Sequence, residues 1–85
     1  MVTNAPYTEK HMVTSAQIRA ARGLLNWTVR QLADKSGVHR NTVTRIENEA
    51  TDGGYSISVI QRTLEEAGVI FVSENGEGPG VRLKK

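Results

Sequence analysis

The chain has 85 residues, no cysteine, eleven basic against nine acidic side chains, and a formal net charge of +2. Absence of cysteine excludes disulfides, thiolate metal sites and cysteine nucleophiles together, and so short a chain leaves little room for a deep catalytic pocket. No apolar run approaches the roughly 20 residues of a membrane span and residues 1–12 lack the apolar centre of a signal peptide, so the sequence reads as soluble, cytoplasmic and without membrane contact.

Residues 1–12 show neither the helical nor the strand period and contain Pro6, which marks a disordered N-terminal arm, with Met12 as an alternative start. Thr14 and Gln17 then form a T-x-x-Q capping box, with Val13 and Ile18 spaced as a hydrophobic staple. This first helix buries Ile18, Ala21 and Leu25, and Asn26 supplies a left-handed stop. The same signals recur at once. Thr28 and Gln31 make a second capping box with Trp27 and Leu32 as its staple, and Gly37 ends a short helix over about 28–36.

The third helix is expected over about His39 to Asn48. It buries only Val43 and Ile46, next to Val38, while Arg40, Asn41, Thr44 and Arg45 fall on its other side, because steps of one, four and five residues share a face. "EATDGGY" (49–55) is a loop by composition. Ser56 then precedes Ile57, Ile60, Leu64 and Ala67 at helical spacing, up to Gly68. "VIFV" (69–72) and "VRLK" (81–84) are β-type runs joined by the turn-rich "SENGEGPG", which predicts a hairpin. With Val69, Phe71 and Leu83 on one face, it should pack on the fourth helix. Its outer strand would leave backbone groups unpaired unless two chains join there, so residues 69–84 are the expected dimer contact and the fourth helix the alternative. The chain thus divides into an arm (1–12), a helical domain (13–68) and a hairpin with a basic tail (69–85).

Charge is distributed unevenly along these elements. Residues 14–48 hold six basic and two acidic side chains, residues 49–80 one basic and six acidic, and residues 81–85 three basic. The positive segment coincides with the second and third helices, as an electrostatic footprint for phosphates requires, although charge alone fits an ordinary solvated surface equally well.

The stretch "WTVRQLADKSGVHRNTVTRIENE" (27–49) resembles the helix-turn-helix of phage-repressor-like (Xre/Cro) transcriptional regulators. The similarity rests on Ala33 where two helices must approach, Gly37 in the turn, the apolar set Leu32, Val38, Val43 and Ile46, and the closing "IEN"; it covers about residues 14–68. It implies a mainly α fold, a lambda-repressor-like domain of four to five helices, here followed by the β-hairpin. It also implies a structural ion pair between Arg22, late in the first helix, and Glu47, late in the third. Two positions depart from the family pattern. Val29 stands where a phosphate-touching glutamine is common, and the loop after the third helix carries Glu49 and Asp52 where relatives are often basic.

For such a domain the third helix enters the DNA major groove while the second lies across the backbone. Arg40 and Arg45 have the donors for guanine O6 and N7, Asn41 can bracket adenine, and Thr44 offers a methyl group to thymine, so these four are the candidate base contacts. Candidate phosphate contacts are Thr28, Arg30, His39 and Asn48, with His39 equally placed to cap the helix or read a base. A purely solvated polar face is the competing reading. His11 and His39 have no metal-ligand spacing, "GEGPG" is followed by no helix that would point N–H groups at a phosphate, and Glu65 and Glu66 diverge around the helix, so neither metal, cofactor nor enzymatic activity is expected. The expected function is a sequence-specific regulator of double-stranded DNA, a repressor acting as a homodimer. The alternative, motivated by the acidic stretch 49–80, is an antitoxin-like protein-interaction module whose partner is a toxin-like protein and whose DNA binding is secondary or absent.

Overall fold

The computed structural model describes residues 13–48, 54–73 and 76–84. The N-terminal arm, Glu49 and Asp52 of the acidic loop and Lys85 of the tail lie outside the described residues. In chain order the elements are α1 (Ser15–Leu25), α2 (Val29–Ser36), α3 (Arg40–Asn48), α4 (Gly54–Glu66), β1 (Val69–Val72) and β2 (Gly80–Leu83). The protein is mainly helical, with a C-terminal two-stranded antiparallel hairpin, the architecture of a lambda-repressor-like domain.

Both predicted capping boxes are formed. Thr14 Oγ1 accepts the Gln17 N–H at 3.1 Å while Gln17 Oε1 accepts the Thr14 N–H at 2.9 Å. Thr28 and Gln31 repeat this at 3.0 and 2.8 Å, so two otherwise orphan donors are satisfied at each helix start. α1 stops at Asn26, whose φ of 59° lies in the left-handed region. α2 stops at Gly37 with φ 77°, where the glycine N–H closes on Ala33 O at 2.9 Å. A side chain at Gly37 would be strained in that conformation, which is why the turn requires glycine.

The core gathers one stripe from every element: Val13, Ile18 and Ala21 from α1 and its approach, Leu32 and Ala33 from α2, Val43 and Ile46 from α3, Ile57, Ile60 and Leu64 from α4, and Val69 and Phe71 from β1. Leu25 is only half-buried and packs at its margin. Full burial of a side chain such as Ile18 or Leu64 contributes about 1.5–3 kcal/mol, so these contacts dominate so small a fold.

Three details differ from the sequence expectation. α3 starts at Arg40 with His39 just before it. α4 starts at Gly54, two residues ahead of the expected cap Ser56, because the apolar period fixes which face is buried and not where the first turn begins. In the hairpin, β2 begins at Gly80 and pairs Val69 with Leu83 and Phe71 with Val81. Val81 therefore takes the inward place opposite Phe71, and Leu83, at the open end beside Gly68, remains 41% exposed instead of packing into the core. The Lys84 N–H ties this end to Gly68 O at 2.7 Å.

The hairpin also meets α1 as well as α4. Gln17, 4% exposed, donates from Nε2 to Val72 O at 3.0 Å and to Gly80 O at 2.9 Å. One buried amide thereby caps α1 and fastens the last residue of β1 and the first of β2.

Candidate nucleic-acid interface

α2 and α3 are joined by Gly37, Val38 and His39 alone. Leu32, Val43 and Ile46 are fully buried and Ala33 nearly so, and the small alanine lets the two helices approach closely. Ser36 Oγ accepts the Val38 N–H at 3.1 Å, bracing the turn from the α2 side. These contacts set how α3 projects from the domain.

The C-terminal end of α3 is held by a polar ridge on α1. Arg22 Nε lies 2.8 Å from Glu47 Oε2 and Arg22 Nη2 lies 2.9 Å from Glu47 Oε1, a two-point pair, while Arg22 Nη1 donates to Trp27 O at 3.0 Å. Glu47 is 5% exposed at its side chain and Arg22 24%. Hydrogen bonding to Glu47 holds the Arg22 guanidinium above its ordinary pKa, outweighing the opposite effect of burial. Ser15 Oγ donates to Ile46 O at 2.6 Å and Arg19 Nη1 donates to Glu47 O. Three residues at i, i+4 and i+7 of α1 thus grip the last turn of α3, where carbonyls lack helical partners and the helix dipole favours cations. Sequence reasoning missed Ser15 and Arg19, because their partners lie 31 and 28 residues away and no local signal sets them apart from other surface residues of α1.

With Val43, Ile46 and Glu47 turned inward, the outward surface of α3 carries Arg40, Asn41, Thr44, Arg45 and Asn48, all exposed. Arg40, Thr44 and Asn48 form one i, i+4 row and Asn41 and Arg45 the adjacent one. The row from Arg40 to Asn48 spans about 12 Å of helix axis. At its N-terminal end an open recess of about 450 Å³ brings Arg30 of α2 together with His39 and Arg40, with Asp34 on the same wall. Thr28 lies outside that recess, its hydroxyl oxygen engaged by the Gln31 N–H, and Asn48 lies at the opposite end of α3. Lys35, in the last turn of α2, stands 5.1 Å over the ring of Trp27, which precedes that helix, a cation–π contact.

Among the described residues no group of acidic, histidine or cysteine side chains is arranged to hold a metal, and no helix is long and apolar enough to cross a membrane. No curated protein matches the chain. A family model described as helix-turn-helix matches residues 18–62, from the first buried stripe of α1 to the last turns of α4. That is more than half of the chain and contains the whole of α2, the turn and α3. The protein belongs to the phage-repressor-like helix-turn-helix family, DNA-binding regulators that are generally without enzymatic activity.

Proposed function

We propose that this protein is a sequence-specific repressor that binds double-stranded DNA as a homodimer and acts by occupying its operator. The observation that carries the reading is the outward face of α3. It presents two adjacent rows of hydrogen-bonding side chains, Arg40, Thr44 and Asn48 beside Asn41 and Arg45, on a helix gripped at its C-terminal turn by Ser15, Arg19 and Arg22. Arg40, Asn41, Thr44 and Arg45 are assigned to base edges, where arginine matches guanine and asparagine matches adenine bidentately. Thr28, Arg30, His39 and Asn48 flank that face and are assigned to phosphates, which position a protein without specifying sequence.

Two copies related by a two-fold axis would place their α3 helices about 34 Å apart, in successive major grooves on one side of the duplex. The experiment is selection from random duplexes by the full chain, followed by salt titration of the selected site. A roughly palindromic motif and affinity that falls steeply with salt are expected, because each neutralised phosphate releases counterions. Recovery of no motif at low salt would remove sequence-specific recognition.

A further inference from the structure

The N-terminal end of α3 is secured by an unusual group. His39 stands one residue before Arg40, its carbonyl accepting the N–H groups of Thr42 at 2.9 Å and Val43 at 3.0 Å, and its ring Nδ1 accepting the N–H of Asn41 at 3.0 Å. The imidazole therefore occupies the capping position where Ser, Thr, Asp or Asn is usual. To accept, Nδ1 must carry a lone pair, which places the ring proton on Nε2. Unlike the usual caps, this acceptor disappears when the ring is protonated, and histidine is the side chain that ordinarily changes charge between about pH 5 and 8.

We propose that His39 is a positioning residue whose neutral imidazole sets the first turn of α3, and with it Arg40 and Asn41, for base readout, so that DNA discrimination is proton-dependent. The inference rests on the assignment of α3 as the base-reading helix. Protonation turns Nδ1 into a donor facing the Asn41 donor, which releases the cap. It also adds a cation to the recess shared with Arg30, Asp34 and Arg40. Those are the charged side chains that line the recess together with His39, from α2 and α3. The two consequences act oppositely on DNA. Extra positive charge strengthens attachment to any duplex, whereas a loosened first turn weakens recognition of the correct one. Discrimination therefore falls in acid more than affinity does.

The first arm of the test needs no DNA. In nitrogen-resolved NMR of the full chain, His39 Nδ1 is expected to appear as the unprotonated ring nitrogen at about pH 7.5, and the Asn41 amide resonance should shift as His39 titrates. The second arm measures the affinity ratio of the selected site to a random duplex at about pH 7.5 and 5.5 for wild type, His39→Asn and His39→Ala. The wild-type ratio should fall about fivefold in acid, as loss of one cap predicts. His39→Asn, which caps without titrating, should give a ratio that does not change between the two pH values, whatever overall affinity it loses with the His39 phosphate contact, and His39→Ala should give a lower ratio that is likewise unchanged by pH. An Asn41 amide indifferent to His39 titration, or an acid loss of equal size in His39→Asn, would overturn the proposal. A chain that selects no site would defeat the DNA-reading assignment instead, leaving the NMR result to decide the cap.

Discussion

Arg22 and Glu47 join the end of α1 to the end of α3 through two hydrogen-bonded contacts of 2.8 and 2.9 Å, with the carboxylate almost wholly removed from water. A pair of this kind costs more to break than it contributes when intact, because the survivor loses its counter-charge while staying partly removed from water. Glu47→Ala should therefore destabilise the fold by about 3 kcal/mol, read as a lower thermal midpoint. Arg22→Lys should also destabilise, because a single ammonium cannot reproduce the fork to Glu47 together with the third bond to Trp27 O. The Arg22 pKa is raised, so its share of stability is complete below the ordinary guanidinium range and is lost only above it. Alkaline titration to about pH 10 should leave that share intact.

Gln17 offers a second test of tertiary wiring. Its amide makes three hydrogen bonds, one to the Thr14 N–H and two to hairpin carbonyls. Gln17→Glu removes the two donors and sets a carboxylate against Val72 O and Gly80 O. We expect a loss of about 3 kcal/mol near neutral pH, larger than for Gln17→Ala, and partly relieved in acid, where the protonated carboxyl regains one donor. Equal melting temperatures for the two variants across pH would contradict this wiring.

If the proposed homodimer joins through the hairpin, its contact includes the outward face, where Ile70 is 43% exposed. Val69 and Phe71 are core residues, so removing the whole hairpin would unfold the domain and say nothing about association. Ile70→Asp changes the outward face alone. Light scattering should report a monomer with unchanged helix content. A variant that stays dimeric would move the interface to α4, whose Tyr55 is 84% exposed.

Arg30 and the α3 residues should separate by kind of effect. Arg30→Ala, removing the proposed phosphate contact, is expected to weaken all duplexes similarly and to reduce the salt slope by about 1. A change in base preference with an unaltered salt slope would place Arg30 on a base edge instead.

Much of the fold is legible in local sequence, because its signals are local. Thr14 with Gln17 and Thr28 with Gln31 announce two helix starts within 15 residues, and Gly37 announces the turn. The apolar steps also indicate which side of α3 is buried and hence that Arg40, Asn41, Thr44 and Arg45 lie outside. What remains hidden depends on distant partners. Gln17 reads locally as half of a capping box, and nothing near it reveals that its Nε2 meets Val72, 55 residues on. Ser15 and Arg19 read as ordinary helix-surface residues until the fold brings the last turn of α3 over them. Leu83 shares the inward face with Val69, yet its place at the open end of the hairpin leaves it partly in water, which alternation alone does not report.

Base reading by α3 is checked by selection run in parallel on wild type and Asn41→Ala. Loss of one bidentate contact is worth about 1–3 kcal/mol of discrimination at one base pair. Asn41→Ala should yield the wild-type motif with preference relaxed at one symmetrically placed position per half-site and retained elsewhere. An unchanged motif for Asn41→Ala, and likewise for Arg40→Ala, Thr44→Ala and Arg45→Ala, would contradict it.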